Sequence, residues 1–493
     1  MKKTANIFFI FNLVVLCALA QVNTYSPYSR FGLGELNQPS LAHNQGMGGA
    51  FAALKPDSVF PVMINTGNPA SYALIKFASF EVGGFYNRSN FTTQEMTLVK
   101  NNANFAYAVL GFPIRKNGGA VLGLLPYSNV GYNLSSQSDV PSIGPITYNY
   151  NGEGGFSKVF TGYGIMPFKE RMINFRKKQN RLLDDSTYTF HKGKEKTKEF
   201  FNELLSDFTL GANLNYMFGS VKNYADIRYP NSTQYYNTIR EQFIRINDFT
   251  GTLGAQTAFT IDSVKKKVKL DTLGNTVVKK VAMREKIKIV FGWYMGLNNT
   301  ITARRDMVSY TYFLTANAMK LPRDTIQQTM DEYGQIKLPL EQGFGIGFKK
   351  GEKFNLVVDY AITNWSQFKM FEYTNNLKNN SRAAVGFNYV PEKFATGKGT
   401  YFKRSQYRAG AFYQSGYIDI NQTPIATYGL TAGISIPVGI RTGTGLISVG
   451  LQAGQTGSSG SGLVKQDFYR VNIGFTFNST YFDDLWFRKF KYD

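Results

Sequence analysis

Residues 469–477 read Tyr469-Arg470-Val471-Asn472-Ile473-Gly474-Phe475-Thr476-Phe477, an unbroken alternation of large apolar side chains with polar or small ones. Successive side chains of a β-strand point to opposite faces, so this stretch offers one wholly apolar face. The pattern recurs upstream. Tyr428, Leu430, Ala432, Ile434 and Ile436 alternate with Gly429, Thr431, Gly433 and Ser435, and Phe354, Leu356, Val358, Tyr360 and Ile362 with Asn355, Val357, Asp359 and Ala361. Ile287, Ile289, Phe291, Trp293, Met295 and Leu297 form the longest such stripe. The interleaved residues are mostly small, which suits a crowded lumen better than the solvated face of a soluble β-sandwich. A strand can cross a lipid bilayer only in a closed barrel, where every backbone group is paired and the outer face is apolar.

The start of the chain agrees with such a destination. Lys2 and Lys3 precede an apolar stretch from Ile7 to Leu16, and Ala18-Leu19-Ala20 forms an A-x-A site, so residues 1–20 read as a cleaved export signal. The mature protein is expected to begin near Gln21. Cys17 is the only cysteine, and Leu16 before it is not the small residue of a lipoprotein site. The mature chain then has no thiol for a disulfide or a metal. No second apolar run approaches the eighteen residues or so of a spanning helix. An exported chain with 48 glycines, 41 phenylalanines and 31 tyrosines is left as an outer-membrane barrel or a soluble periplasmic protein, and the strand pattern favours the barrel.

The predicted fold is a 14-stranded antiparallel transmembrane β-barrel, with strands near 77–92, 102–115, 118–134, 149–168, 207–224, 238–262, 283–303, 340–350, 353–370, 380–392, 404–418, 424–438, 443–457 and 466–478. An even count places both ends of the barrel on the periplasmic side of a bacterial outer membrane. The short links at 115–118 and 350–352 then fall periplasmic, and 304–338 becomes a long extracellular loop. Periplasmic insertions are expected near 169–206, with the basic run Arg176-Lys177-Lys178 and a helix bearing Phe200, Phe201, Leu204 and Leu205, and near 262–285, with Lys265-Lys266-Lys267. A tail at 479–493 carries Trp486, Phe487 and Phe490.

Residues 21–76 are too apolar for a free tail, because nothing would bury them. They contain Gly46-Met47-Gly48-Gly49-Ala50-Phe51-Ala52-Ala53 and then Asn65-Thr66-Gly67-Asn68-Pro69-Ala70. Such a segment is placed inside the barrel as a plug, with the glycine-rich wall faces leaving room for it.

Here the sequence resembles the FadL/TodX family of outer-membrane hydrophobic-compound transporters. Gly46, Gly48 and Gly49 followed by Asn68-Pro69-Ala70 are similar to that family's hatch and its NPA motif. A second match lies downstream in Leu338-Pro339, a strand at 340–350, Asp359-Tyr360 and Asn364-Trp365-Ser366-Gln367-Phe368, the last of which resembles the family's TxWSxF-type strand end, with Pro339, Trp365, Ser366 and Phe368 as the matching positions. The resemblance implies passive uptake of long-chain or aromatic hydrophobes through a hatch-lined apolar pocket and a lateral opening in the wall. Each buried CH₂ would contribute roughly 0.8 kcal/mol to ligand capture. Pro126, which interrupts Val121-Leu122-Gly123-Leu124-Leu125, together with Asn129 and Gly131, matches the place of the family's strand-three kink. Proline removes a ladder donor and glycine permits a bulge. The alternative is that Pro126 only ends the strand early. Trp365 is expected on the lumen side, in register with Asp359 and Ala361, while Tyr360 and Ile362 face lipid.

Some barrels that resemble this family serve protein secretion or surface-attachment machines, such as the barrel shuttle of type IX secretion. The basic insertions suit that second role, as docking sites for a periplasmic or secretion-machinery protein. A general porin fits less well with a plugged lumen. Enzyme readings find little support. His43 and His191 are the only histidines and have no metal-ligand spacing, no nucleophile motif is present, and Gly397-Lys398-Gly399-Thr400 lacks the earlier glycine of a phosphate loop. His43 reads as an interior hydrogen-bonding group, and no cofactor is implied. The net charge of +22, or +20 without Lys2 and Lys3, would suggest nucleic acid for a soluble chain. In an outer-membrane barrel it instead meets lipid and lipopolysaccharide phosphates or keeps the turns solvated, so nucleic acid is not an expected partner.

Overall fold

A computed structural model describes residues 24–56, 63–115, 117–141, 143–169, 201–202, 204–229, 234–262, 286–297, 300–315, 317, 319–372, 376–393, 395, 400–420, 422–438, 445–460 and 462–479. The export signal, most of both predicted insertions, His191 and the tail with Trp486 lie outside them.

In chain order the strands are β1 (Glu35–Leu36), β2 (Ser79–Thr92), β3 (Thr97–Arg115), β4 (Gly118–Val140), β5 (Gly144–Ile165), β6 (Thr209–Arg228), β7 (Asn237–Asp262), β8 (Lys286–Gly296), β9 (Thr300–Leu314), β10 (Lys320–Lys337), β11 (Glu341–Lys350), β12 (Phe354–Thr363), β13 (Lys369–Met370), β14 (Asn380–Tyr389), β15 (Gln406–Gln414), β16 (Asp419–Ile420), β17 (Thr423–Pro424), β18 (Thr427–Val438), β19 (Gly445–Thr456) and β20 (Lys465–Asn478). Fourteen of them, all antiparallel, close a barrel. These are β2 to β8, β11, β12, β14, β15 and β18 to β20, and β20 pairs with β2 over the whole length of β2. The near end of the barrel is where β2 begins and β20 stops. The far rim is opposite.

The alternation works as the lipid argument requires. In β11, Phe344, Ile346 and Phe348 are exposed on the outer face, while Gly343, Gly345 and Gly347 are buried on the inner one. In β12, Tyr360 and Ile362 are exposed and Val357 and Asp359 are buried. No described helix is long and apolar enough to cross a membrane. The strands do that.

One part of the sequence reading is corrected. The stretch at 283–303 is not one strand, and 304–338 is not a loop. The chain leaves β8 at Gly296, and β9 and β10 form a hairpin that adds to β7 through Asn237–Ile246. The cause lies in the wall. β7 has 26 residues against 11 in β8, so its last fifteen residues toward the far rim (Asn237 to Gly251) have no partner in β8. That is roughly 50 Å of strand at about 3.3 Å per residue, a long open edge that the Thr- and Tyr-rich β9 can pair with. A buried carboxylate anchors the hairpin: Asp226 accepts from Tyr312 at 2.6 Å and from Lys320 and Arg228 at 2.9 Å each. The barrel is therefore tall along β4 to β7 and low along β11 to β19.

Candidate functional site

Residues 24–56 and 63–76 lie against the inner faces of the wall, and most are buried. The glycine run does what only glycine can. Gly48 and Gly49 both have positive φ, +66° and +69°, which L side chains rarely adopt. This tight bend lets the Gly48 amide donate to Thr431 Oγ1 at 2.8 Å, and its carbonyl accept from Arg382 at 2.6 Å. A Cβ on Gly46 would lie 3.0 Å from the Gly433 Cα, so backbone rests on backbone there. Gly211, Gly292 and Gly410 provide similar contacts, with Pro69, Ala52 and Gly48 respectively occupying the place of a side chain.

Buried polar groups of the wall then take up the segment's backbone donors. Asp359 Oδ2 accepts from the amides of Phe51 at 2.6 Å and Ala52 at 2.7 Å. Glu81 Oε1 accepts from Ile64 N at 2.6 Å. Gln256 donates to the Ala52 carbonyl at 2.8 Å. In a dry interior such groups are costly to leave without their partners.

Asn68-Pro69-Ala70 opens a 3-10 helix, Pro69–Leu74. The Asn68 side-chain oxygen accepts from Ala70 N at 3.1 Å, while its amide nitrogen donates to the carbonyls of Ala52 at 2.8 Å and Trp293 at 3.2 Å. One asparagine thus ties the helix start, the glycine run and the wall together. His43 is interior, with Nδ1 3.6 Å from Glu81 Oε2, but neither ring nitrogen has a hydrogen-bond partner among the described residues. This corrects its expected hydrogen-bonding role. Burial pushes its pKa well below the usual value, so the imidazole is neutral.

The wall is split on one side. β3 and β4 pair from Arg115↔Gly118 only as far as Ala108↔Leu124. Beyond Leu124 the β4 edge turns to the N-terminal segment instead: β1 pairs there as Glu35↔Asn129 and Leu36↔Ser128, and Asn37 N donates to Tyr127 O at 2.9 Å. Ser29 Oγ completes the row, accepting from Gly131 N at 3.0 Å. Pro126 does not end its strand, which runs on to Val140, but a register shift against β5 falls between Pro126 and Ser128. Pro126, Asn129 and Gly131 thus meet at this seam. Gly154 and Gly155, at φ of 110° and 155°, carry the distortion into β5 and were not singled out from the sequence, although Gly152-Glu153-Gly154-Gly155 was there to read.

Residues 26–36 separate two cavities. One, of ≈ 270 Å³, reaches the seam at Ala106, Tyr107 and Pro126 and carries Glu35, Glu341, Arg382 and Arg470 on its walls. The other, of ≈ 470 Å³, faces the far rim past Phe31, Tyr132 and Tyr150. Trp365 sits at the first. It is 1 % exposed and stacks on Tyr417 with ring centroids 4.4 Å apart. Trp365 is on the inward side, as its register implied, but β12 has already ended at Thr363, and Trp365–Gln367 is a 3-10 turn. Ser366 N is held by Asn379 Oδ1 at 3.0 Å, and buried Phe368 packs on the indole with centroids 5.3 Å apart. Pro339 lines the same cavity. Trp365→Ala is expected to cost about 3–5 kcal/mol of stability, as for other fully buried large aromatics. A lowered unfolding temperature and faster proteolysis of residues 26–36 would record it.

The BamG family model matches residues 1–180 and 197–493. No curated protein sequence matches the chain. Among solved structures, the toluene transporter TbuX of Ralstonia pickettii superposes with a TM-score of 0.50 at 12% identity, over 90% of this chain and 100% of that one. TodX, the P. putida toluene transporter, gives 0.48 at 12% over 90% and 99%, and a Pseudomonas aeruginosa FadL homologue 0.47 at 11% over 90% and 98%. The likeness to TbuX is one of fold.

Proposed function

The chain belongs to the BamG family, and we propose that it is a closed structural component of an outer-membrane machine that secretes, attaches or assembles proteins. Residues 24–76 would act as a fixed hatch. The observation that carries this reading is the way Asp359, Glu81, Gln256 and Asn68 fasten that segment to the wall by buried hydrogen bonds. A gate that must open with each passage would have to break all of them together.

The cavities support the same reading. Sites for drug-sized or larger ligands are typically about 300–1,000 Å³ and mostly apolar. The cavity at the seam has ≈ 270 Å³ and four charged residues on its wall, a poor seat for a long alkyl chain. The match in sequence is to BamG over nearly the whole chain, whereas the match to the toluene transporter is in fold alone. One fold hosts many functions.

Passive uptake of a hydrophobic small molecule is the second reading, favoured by the seam. There the cavity meets the unpaired stretch between β3 and β4, and Pro126, Asn129 and Gly131 would form a lateral opening. Conditional depletion of the protein separates the two. The machine reading predicts falling levels of other outer-membrane or surface proteins, with uptake of a labelled aromatic or fatty acid unchanged. Lost uptake with normal surface proteins would overturn it.

A further inference from the structure

Toward the far rim, the inner face of the tall wall lays out a polar trough. In register, Tyr150 of β5 lies beside Ala225 of β6, and Ala225 beside Arg240 of β7. The parallel row one step nearer the barrel's near end is Gly152, Asn223 and Gln242. Tyr150, Ala225, Arg240, Asn223 and Gln242 all line the ≈ 470 Å³ cavity, which is within the usual size of a ligand site. Tyr150 and Arg240 stand two strand spacings apart, roughly 10 Å, and the small Ala225 between them keeps the floor low. Tyr132 lies across Gly152, where a Cβ would collide with its ring, and its hydroxyl donates to Asn223 Oδ1 at 2.9 Å.

The trough carries charge of one sign. Arg240 stands at one end. Arg30, from the N-terminal segment, stands at the other, its guanidinium carbon 4.7 Å from the Tyr150 ring centre. Among the described residues no carboxylate lines this cavity, and neither arginine forms an ion pair. Arg30 rests on Tyr150, and Arg240 donates to Met307 Sδ at 3.3 Å, a weak acceptor. The acids nearby are engaged elsewhere. Asp226, next to Ala225, points to the opposite face and is held by Tyr312, Lys320 and Arg228. Glu241, next to Arg240, lies 3.3 Å from Lys222, and Glu332 accepts from Arg305 at 2.8 and 2.7 Å.

We propose that this trough binds an anionic saccharide, its acidic groups held by Arg30 and Arg240 and its hydroxyls by Asn223 and Gln242. A guanidinium meets the oxygens of a carboxylate or phosphate two at a time. A side-chain amide both donates and accepts, as a hydroxyl requires. A hydrocarbon in the same place would strip both guanidiniums of water and offer nothing in return. A peptide fits less well, because β5, β6 and β7 are paired on both edges along this stretch and strand addition is closed to it. The saccharide is a free acidic polysaccharide or the carbohydrate of lipopolysaccharide. Because Arg30 belongs to the N-terminal segment and Arg240 to the wall, an occupant spanning the two would also tie one to the other.

The test titrates the full-length protein in neutral detergent by calorimetry. The probes are trigalacturonate, core oligosaccharide released from lipopolysaccharide, maltotriose and triglutamate. Saturable binding of at least one of the first two is expected, weaker at high salt, and reduced at least tenfold in Arg240→Gln and in Arg30→Gln. The two arginines lie on separate parts of the chain, so either variant alone tests the site if the other fails to fold. Lys222→Gln removes the same charge from the opposite face of β6 and should bind as the parent does. A response to trigalacturonate identifies free polysaccharide, and one confined to the core oligosaccharide identifies lipopolysaccharide. Triglutamate binding more tightly than either saccharide would make this a site for acidic peptide instead. That result, maltotriose binding equally well, an equal loss in Lys222→Gln, or no saturation by either acidic saccharide overturns the proposal.

Discussion

Asp359→Ala is expected to release the N-terminal segment from the wall while leaving the barrel itself folded. The carboxylate is buried and accepts two backbone amides, those of Phe51 and Ala52, at 2.6 and 2.7 Å. Alanine leaves both donors without an acceptor in a site water does not reach, and each such buried group costs about 1–3 kcal/mol. The pair together should weaken seating by roughly 3–5 kcal/mol, which raises the released population by a factor on the order of 10²–10³. The wall ladder on either side of Asp359 is backbone to backbone, Gly345 on β11 and Ala384 on β14, and does not depend on the side chain. Hydrogen exchange should therefore rise sharply at residues 47–54 and stay low in β11, β12 and β14. Asp359→Asn keeps one acceptor oxygen and should fall between the two. Equal protection of 47–54 in Asp359→Ala and its parent would show that other contacts suffice.

Gly292→Val attacks the same seat from the wall side. Gly292 is on the inner face of β8, and a Cβ there would run into the carbonyl of Ala52. The obstacle is backbone, which cannot rotate aside as a side chain could. The segment must shift, and with it the hydrogen bonds of Ala52 to Asp359, Asn68 and Gln256. Overpacking of this kind costs about 1–3 kcal/mol, and the lost hydrogen bonds add to it. Valine itself suits a strand, so β8 should still form. The outcome to expect is a barrel of normal heat-modifiable mobility on gels whose residues 47–56 are open to protease. Normal protection of those residues would contradict the close approach.

The wall was legible in the sequence because lipid imposes a strict rule on it. Phe344, Ile346 and Phe348 against Gly343, Gly345 and Gly347 cannot be read in another register. The inner stripe of glycine leaves room for what lies against it, and Ala52 and Pro69 rest on Gly292 and Gly211 there. Trp365 was placed on the correct side by counting from Tyr360. Its turn was not foreseen, because alternation says nothing about where a strand stops. The β9–β10 hairpin was hidden for a related reason. β10 is exposed along most of its length, and the buried face of β9 carries Arg305 among Ile301, Ala303 and Met307 while its other face shows Thr302 and Arg304, so the apolar outer stripe that marks a membrane strand is missing, and only the unpaired length of β7 called for it. Asp359 and Glu81 could have been flagged as acidic residues on the inward register of apolar strands. Their partners are backbone amides of a segment about 300 residues away in the case of Asp359, and no local signal announces such a bond. The seam combines both situations: Pro126 announced a distortion, whereas the surrogate strand Glu35–Leu36 carries no pattern of its own.

The central claim is that the segment stays seated while the protein works. Leu36 and Ser128 are direct cross-strand partners at the seam, within the Cα separation of about 4.4–6.8 Å that a disulfide can span. Cys17 is the only native cysteine, so a Leu36→Cys/Ser128→Cys pair has little to compete with it. The measurement is complementation of a depletion strain by this pair, oxidised and then reduced, with surface-protein levels and hydrophobe uptake followed together. A fixed hatch predicts that the oxidised, locked protein restores surface-protein levels as fully as the reduced one. Failure of the locked protein, with function and hydrophobe uptake both returning on reduction, would show instead that the segment must leave the seam.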